Sequence, residues 1–137
     1  MARIGAVVAT VLLGAVIAFQ LALIAGAPWG ALTQGGRSDG ALDASGRAFA
    51  AVSVVILGCF ALALLGRVGW GPLRRRRRLA SVGSWIAVAY GVVAVLLNAA
   101  TPSATERAIW LPVSVVLLAA ELVTVLGSRG QPVDGPR

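Results

Sequence analysis

The chain has 137 residues, 58% of them hydrophobic and only 12% charged, and its formal net charge is +7. A soluble domain of this size leaves much of its surface in water and averages about a quarter charged residues, so the composition excludes an ordinary water-soluble fold and calls for a lipid solvent. A single cysteine and no histidine exclude an internal disulfide, His/Cys zinc sites, Cys–His nucleophilic pairs and Ser–His–Asp triads.

Four apolar stretches follow one another, over about 4–25, 48–66, 79–99 and 104–127. Each is near the roughly 20 residues a helix needs to cross a hydrocarbon core of about 30 Å. Their continuity favours helices over barrel strands, which alternate over about ten residues. The expected fold is therefore an all-α membrane protein: one domain over 1–127, four transmembrane helices in an up-down bundle, then a disordered tail over 128–137. No soluble domain and no internal repeat is read.

The first stretch carries Arg3 and ends in small residues, as a signal peptide does. Its apolar run exceeds the usual 7–15 residues, and Pro28 directly follows the candidate cleavage site, so a retained helix is expected. Gly14, Ala18, Ala22 and Gly26 recur every four residues and form a candidate packing stripe, since helices in lipid associate through small residues and interhelical hydrogen bonds. A glycine-rich loop, "GAPWGALTQGGRSDGALDASGR", leads to the second helix, where Asp43 or Ser45 can cap the start. Gly30, Gly35, Gly36 and Gly40 let this loop fold tightly. Cys59 reads as a small core residue.

Five consecutive arginines, Arg74 to Arg78, join the second and third helices. Together with Arg3, Arg67, Arg129 and Arg137 they put nine arginines at one end of a four-helix protein, against Arg37, Arg47 and Arg107 at the other. The positive-inside rule then places both termini and the run in the cytoplasm. Nucleic acid is the competing partner for a basic run, but interleaved aromatics and a folded platform are lacking. Beside two membrane helices, each arginine instead meets anionic headgroups, at about 1 kcal/mol apiece. The expected partners are therefore membrane lipids, through headgroup contact at Arg74, Arg75, Arg76, Arg77 and Arg78, and either a second copy or another membrane protein; no nucleic acid is expected. Trp70 and Trp85 suit the inner interfacial belt, Trp29 and Trp110 the outer one. Arginine without lysine, beside abundant Ala, Gly and Val, points to a GC-rich bacterial coding sequence and hence to the bacterial cytoplasmic membrane.

Gly83 and Gly91 are candidate packing positions in the third helix. "SATE" makes Ser103 an N-cap with Glu106 three residues on, a capping box, and Pro112 inside the fourth helix predicts a kink. Glu121 lies between "VVLLAA" and "LVTVLG", and a carboxyl at membrane depth is a functional hypothesis by default. It either stays uncharged or pairs with Arg67 as a structural group, or takes part in proton or cation movement; Tyr90 is a candidate partner. A second candidate site gathers Gln20, Arg47, Asn98, Glu106 and Arg107 toward the outer end. Their plain roles are helix glue, capping and interfacial anchoring; their sharper one is a polar pocket roofed by the loop after the first helix. No catalytic residue, cofactor motif or metal site is read.

The pattern "GAPWG…GG…G.L…R" followed by "N..TPS..ER.IW.P" resembles a group of small four-helix integral membrane proteins of actinobacterial type to which no activity is assigned. The resemblance implies an integral membrane location and draws attention to Gly26, Pro28, Gly30, Gly36, Arg47, Asn98, Glu106, Arg107 and Pro112. Size and helix number also resemble the small multidrug resistance transporters, but those carry a glutamate in the first helix, where this chain has only Gln20. Three functions stay open: a structural or interaction component without catalysis, a small-solute or ion carrier acting as a homo-oligomer with Glu121 in its pathway, and a lipid-modifying enzyme with an outward polar site.

Overall fold

The computed structural model describes residues 1–36 and 38–128. The tail beyond Ser128, and with it Arg129 and Arg137, lies outside the described residues, as does Arg37. Four helices make up the fold: α1 (Ala2–Ile24), α2 (Ala44–Arg67), α3 (Arg77–Ala100) and α4 (Ala104–Gly127). All four are long and apolar enough to cross a membrane, and no strand occurs among the described residues.

Chemistry at the helix ends explains where they begin. Asp43 caps α2 by accepting the Gly46 N–H at 2.7 Å, which starts this helix several residues before its apolar run. That backbone donor, with the Ser45 hydroxyl, holds the Asp43 carboxyl below the ordinary aspartate range. Ser103 caps α4 by accepting the Glu106 N–H at 3.2 Å. Only this half of the expected capping box forms, because the Glu106 carboxylate is engaged elsewhere. Helix α4 runs on through Pro112 as a single element.

The helices form a ring in which α1 packs on α2 and α4, and α3 packs on α2 and α4. Both described chain ends meet the α2–α3 link at one end of the bundle. Gly127 lies against Ala2, and the Arg3 guanidinium sits 5.9 Å from the Trp70 ring centre. We call this the arginine end, and the opposite one, which carries the glycine-rich loop, the loop end. At the arginine end Pro72–Arg75 form a 3-10 turn, and the side chains of Arg74 to Arg78 are all exposed.

The packing face of α1 differs from the expected one. Gly14 and Ala18 point out of the bundle, and nothing would meet a Cβ on Gly14 within 4 Å. The face that packs is Ala2, Gly5, Ala6, Ala9 and Leu13, all buried. A Cβ on Gly5 would come within 2.8 Å of the Ala120 carbonyl and 3.0 Å of the Thr124 backbone nitrogen, so α1 and α4 approach backbone to backbone there. Both faces of α1 carry small residues at helical spacing, and in lipid neither face needs to be polar, so spacing alone does not select between them. We therefore expect Gly5→Leu to cost about 1–3 kcal/mol of overpacking strain. Gly14→Leu should leave the detergent melting curve unchanged; the reverse ranking of the two melts would refute this interface.

Gly83 meets Ala63 of α2, and Gly91 meets Glu121 and Leu118 of α4, so both expected positions in α3 do lie at helix contacts. Cys59, by contrast, is exposed on the outside of α2 and not in the core. The main apolar core joins Ala9, Leu13, Leu57, Phe60, Leu64, Ala87 and Ala120 across all four helices. A smaller cluster of Leu23, Leu42 and Ala50 pins the loop to α1 and α2.

Candidate functional site

At the loop end the bundle is not filled. A cavity of about 200 Å³ lies among all four helices, lined also by Leu57 of the main core and Thr33 of the loop. Along α3 it runs from Asn98 to Tyr90, about 12 Å at 1.5 Å per residue. Gln20 from α1, Asn98 from α3 and Glu106 from α4, which the sequence already groups at this end, all line it. Arg47 and Arg107 do not. Arg47 Nε donates to the Leu42 carbonyl at 3.0 Å and Arg107 Nη1 to the Thr101 carbonyl at 3.1 Å, so each guanidinium braces the chain beside its own helix start.

Glu106 owes its place to the first turn of α4 and is only 8% exposed. Its Oε2 accepts the Gly35 N–H at 3.0 Å and the Thr101 hydroxyl at 2.6 Å, which ties the glycine-rich loop to the α3–α4 link. This diversion takes the carboxylate away from the Ser103 N–H and breaks the reciprocal capping box. The loop is held at further points. Trp110 Nε1 donates to the Leu32 carbonyl at 2.6 Å, and Gln34 Nε2 to the Gly46 carbonyl at 3.0 Å. The Phe19 ring lies stacked on Trp29 at 5.9 Å and edge-on to Trp110 at 4.8 Å. Gln34, Gly35 and Gly36 take positive φ values of 53°, 80° and 68°, which turn the loop so that the Gly35 N–H reaches the carboxylate.

The second candidate group, Glu121, Arg67 and Tyr90, is divided. Tyr90 belongs to the cavity and packs its ring on Phe60 at 5.3 Å. Glu121 is 1% exposed near the arginine end of α4, with Oε2 against the backbone of Gly91 and without a hydrogen-bond partner. Any side chain on Gly91 would meet that oxygen at 2.7 Å. One turn further along α4, Arg67 forms a clasp across three helices. Its Nε donates to Ser128 Oγ at 2.7 Å, Nη1 to Ser81 Oγ at 2.7 Å and to Ser84 Oγ at 3.1 Å, and Nη2 to the Val125 carbonyl at 3.2 Å.

The serines of this clasp and the cavity residues Phe19, Ser53 and Ser114 go beyond the residues singled out from the sequence. The one signal for the clasp is the three-residue spacing of Ser81 and Ser84, which puts two hydroxyls on one face of an otherwise apolar helix. No family model, curated protein or solved structure matches the chain.

Proposed function

We propose that this chain is a small multi-pass protein of the bacterial cytoplasmic membrane, with both ends and the arginine run on the cytoplasmic side, and that it acts as a structural or interaction component and not as an enzyme. The observation that carries this reading is where its charged groups are spent. Arg47, Arg67, Glu106 and Arg107 each hold backbone or hydroxyl groups of the same chain. The arginine run is exposed and has no side-chain hydrogen bond among the described residues, which leaves it available for anionic lipid headgroups. A second copy or another membrane protein is the natural partner for the apolar outer faces, including Gly14 and Ala18.

The other two functions draw less support. The cavity does not include Glu121, which a carrier with that residue in its pathway would require. A lipid-modifying site built on Glu106, Arg107 and Arg47 would need three groups that are instead fixed to separate partners. The test is Glu121→Gln in a strain lacking the native gene. Expression, membrane insertion and growth should match the wild-type chain. Loss of complementation with normal insertion would overturn the structural reading in favour of a carrier.

A further inference from the structure

We infer that the loop-end cavity is a binding site for a small organic cation, an ammonium group carried on an apolar body of about one ring. Size sets the scale, because an apolar cavity of about 150 Å³ accommodates benzene, and this one measures about 200 Å³. Charge sets the sign. Among the described residues Glu106 is the one charged member of the lining, and the guanidiniums of Arg47 and Arg107 are turned to carbonyls outside it.

The chemistry of the walls agrees. Both hydrogen bonds that fasten Glu106 fall on Oε2, which leaves Oε1 without a partner among the described residues and available to an incoming N–H donor. In so buried a position a carboxylate–ammonium contact is stronger than at a wet surface. Phe19, Tyr90 and Trp110 bring aromatic rings to the same space, and ring faces attract cations. The side-chain amides of Gln20 and Asn98 make no hydrogen bond within the described chain, so their oxygens are available to remaining N–H groups. Ser53 and Ser114 donate to the carbonyls of Phe49 and Leu111, which turns oxygen lone pairs and not protons toward the cavity. An anion would meet the carboxylate and these lone pairs; a neutral ring would leave Oε1 without a donor. The same ammonium chemistry has two sources, a free amine or the headgroup of an aminophospholipid entering from the outer leaflet.

The test uses the full chain in maltoside micelles, followed by the fluorescence of Trp110 and its neighbour Trp29. Benzylammonium should bind saturably, benzyl alcohol about tenfold more weakly or worse, as loss of one charged hydrogen bond implies, and benzoate not at all. Glu106→Gln keeps an acceptor for Gly35 and Thr101, so it should retain the melting curve and lose the preference for ammonium over alcohol. Ala94→Leu, which fills the cavity from α3 without touching the loop, should abolish saturable binding and covers the case in which the Glu106 variant fails to fold. Competition by added phosphatidylethanolamine identifies the lipid headgroup as the source of the ammonium; its absence identifies a free amine. Equal binding of ammonium and alcohol, non-saturable binding, or saturable binding unaffected by Ala94→Leu would overturn the inference.

Discussion

Replacing Arg67 by methionine is expected to loosen the arginine end of the bundle and to lower stability in detergent by about 3 kcal/mol, the scale of hydrogen bonds to a charged group. Methionine keeps most of the aliphatic stem, so the loss reports the guanidinium and not the packing. That group reaches Ser81 and Ser84 of α3, Val125 of α4 and Ser128 just beyond it, from the last residue of α2. Ser84 and Val125 are fully buried, so the oxygens there would be left without the lost donor and out of reach of water. Arg67→Lys should recover less than half of the loss, because an ammonium cannot span partners that a planar fork reaches in three directions. Thermal melts followed by size exclusion would show it. A methionine variant that melts with the wild-type chain would remove the clasp from the account.

The second large effect concerns insertion and not folding. Exchanging Arg74 to Arg78 for asparagine should leave the bundle melting as before, yet yield a mixture of two membrane orientations. The run is an odd choice for local structure. Arg77 and Arg78 open α3, and cations at a helix start oppose its dipole at about 0.3–1 kcal/mol each. None of the five side chains hydrogen-bonds to the described chain to offset that cost. On the proposed orientation, attraction to an anionic inner leaflet, about 1 kcal/mol each, would offset it, and would do so in that orientation only. Without them the arginines at the two ends come close to parity. A reporter fused to the C-terminus and read on both sides of the membrane would measure the mixture; a single unchanged orientation would show that the run is not the determinant.

Much of this fold is legible in the residues. The four apolar runs mark the spans, and Asp43 and Ser103 mark two helix starts, because spanning length and capping are local properties. The ring order and the packing faces are not local. In water the buried face of α1 would be the apolar one; in lipid both faces are apolar, which is why the Gly14 and Ala18 stripe reads as well as the Gly5 and Ala9 stripe that packs. Cys59 is misplaced in the core for the same reason. The outer polar group is half legible: Gln20, Asn98 and Glu106 share a depth and do converge on the cavity, whereas Arg47 and Arg107 share the depth and turn aside to nearby carbonyls. Glu106 keeps its helix position but gives up the reciprocal cap, since the Gly35 N–H from a loop 71 residues away competes for its carboxylate. The serine clasp is the hardest to foresee, for it assembles hydroxyls from α3 and the end of α4 around a residue of α2.

Side-specific cysteine labelling decides whether the chain crosses the membrane four times with its arginine end in the cytoplasm. On a Cys59→Ala background, Ala31→Cys reports the loop end and Arg75→Cys the arginine end; both positions are exposed. With a membrane-impermeant maleimide on sealed cells, position 31 should label at once and position 75 only after lysis. Labelling of position 75 in sealed cells, with position 31 protected, would contradict the account.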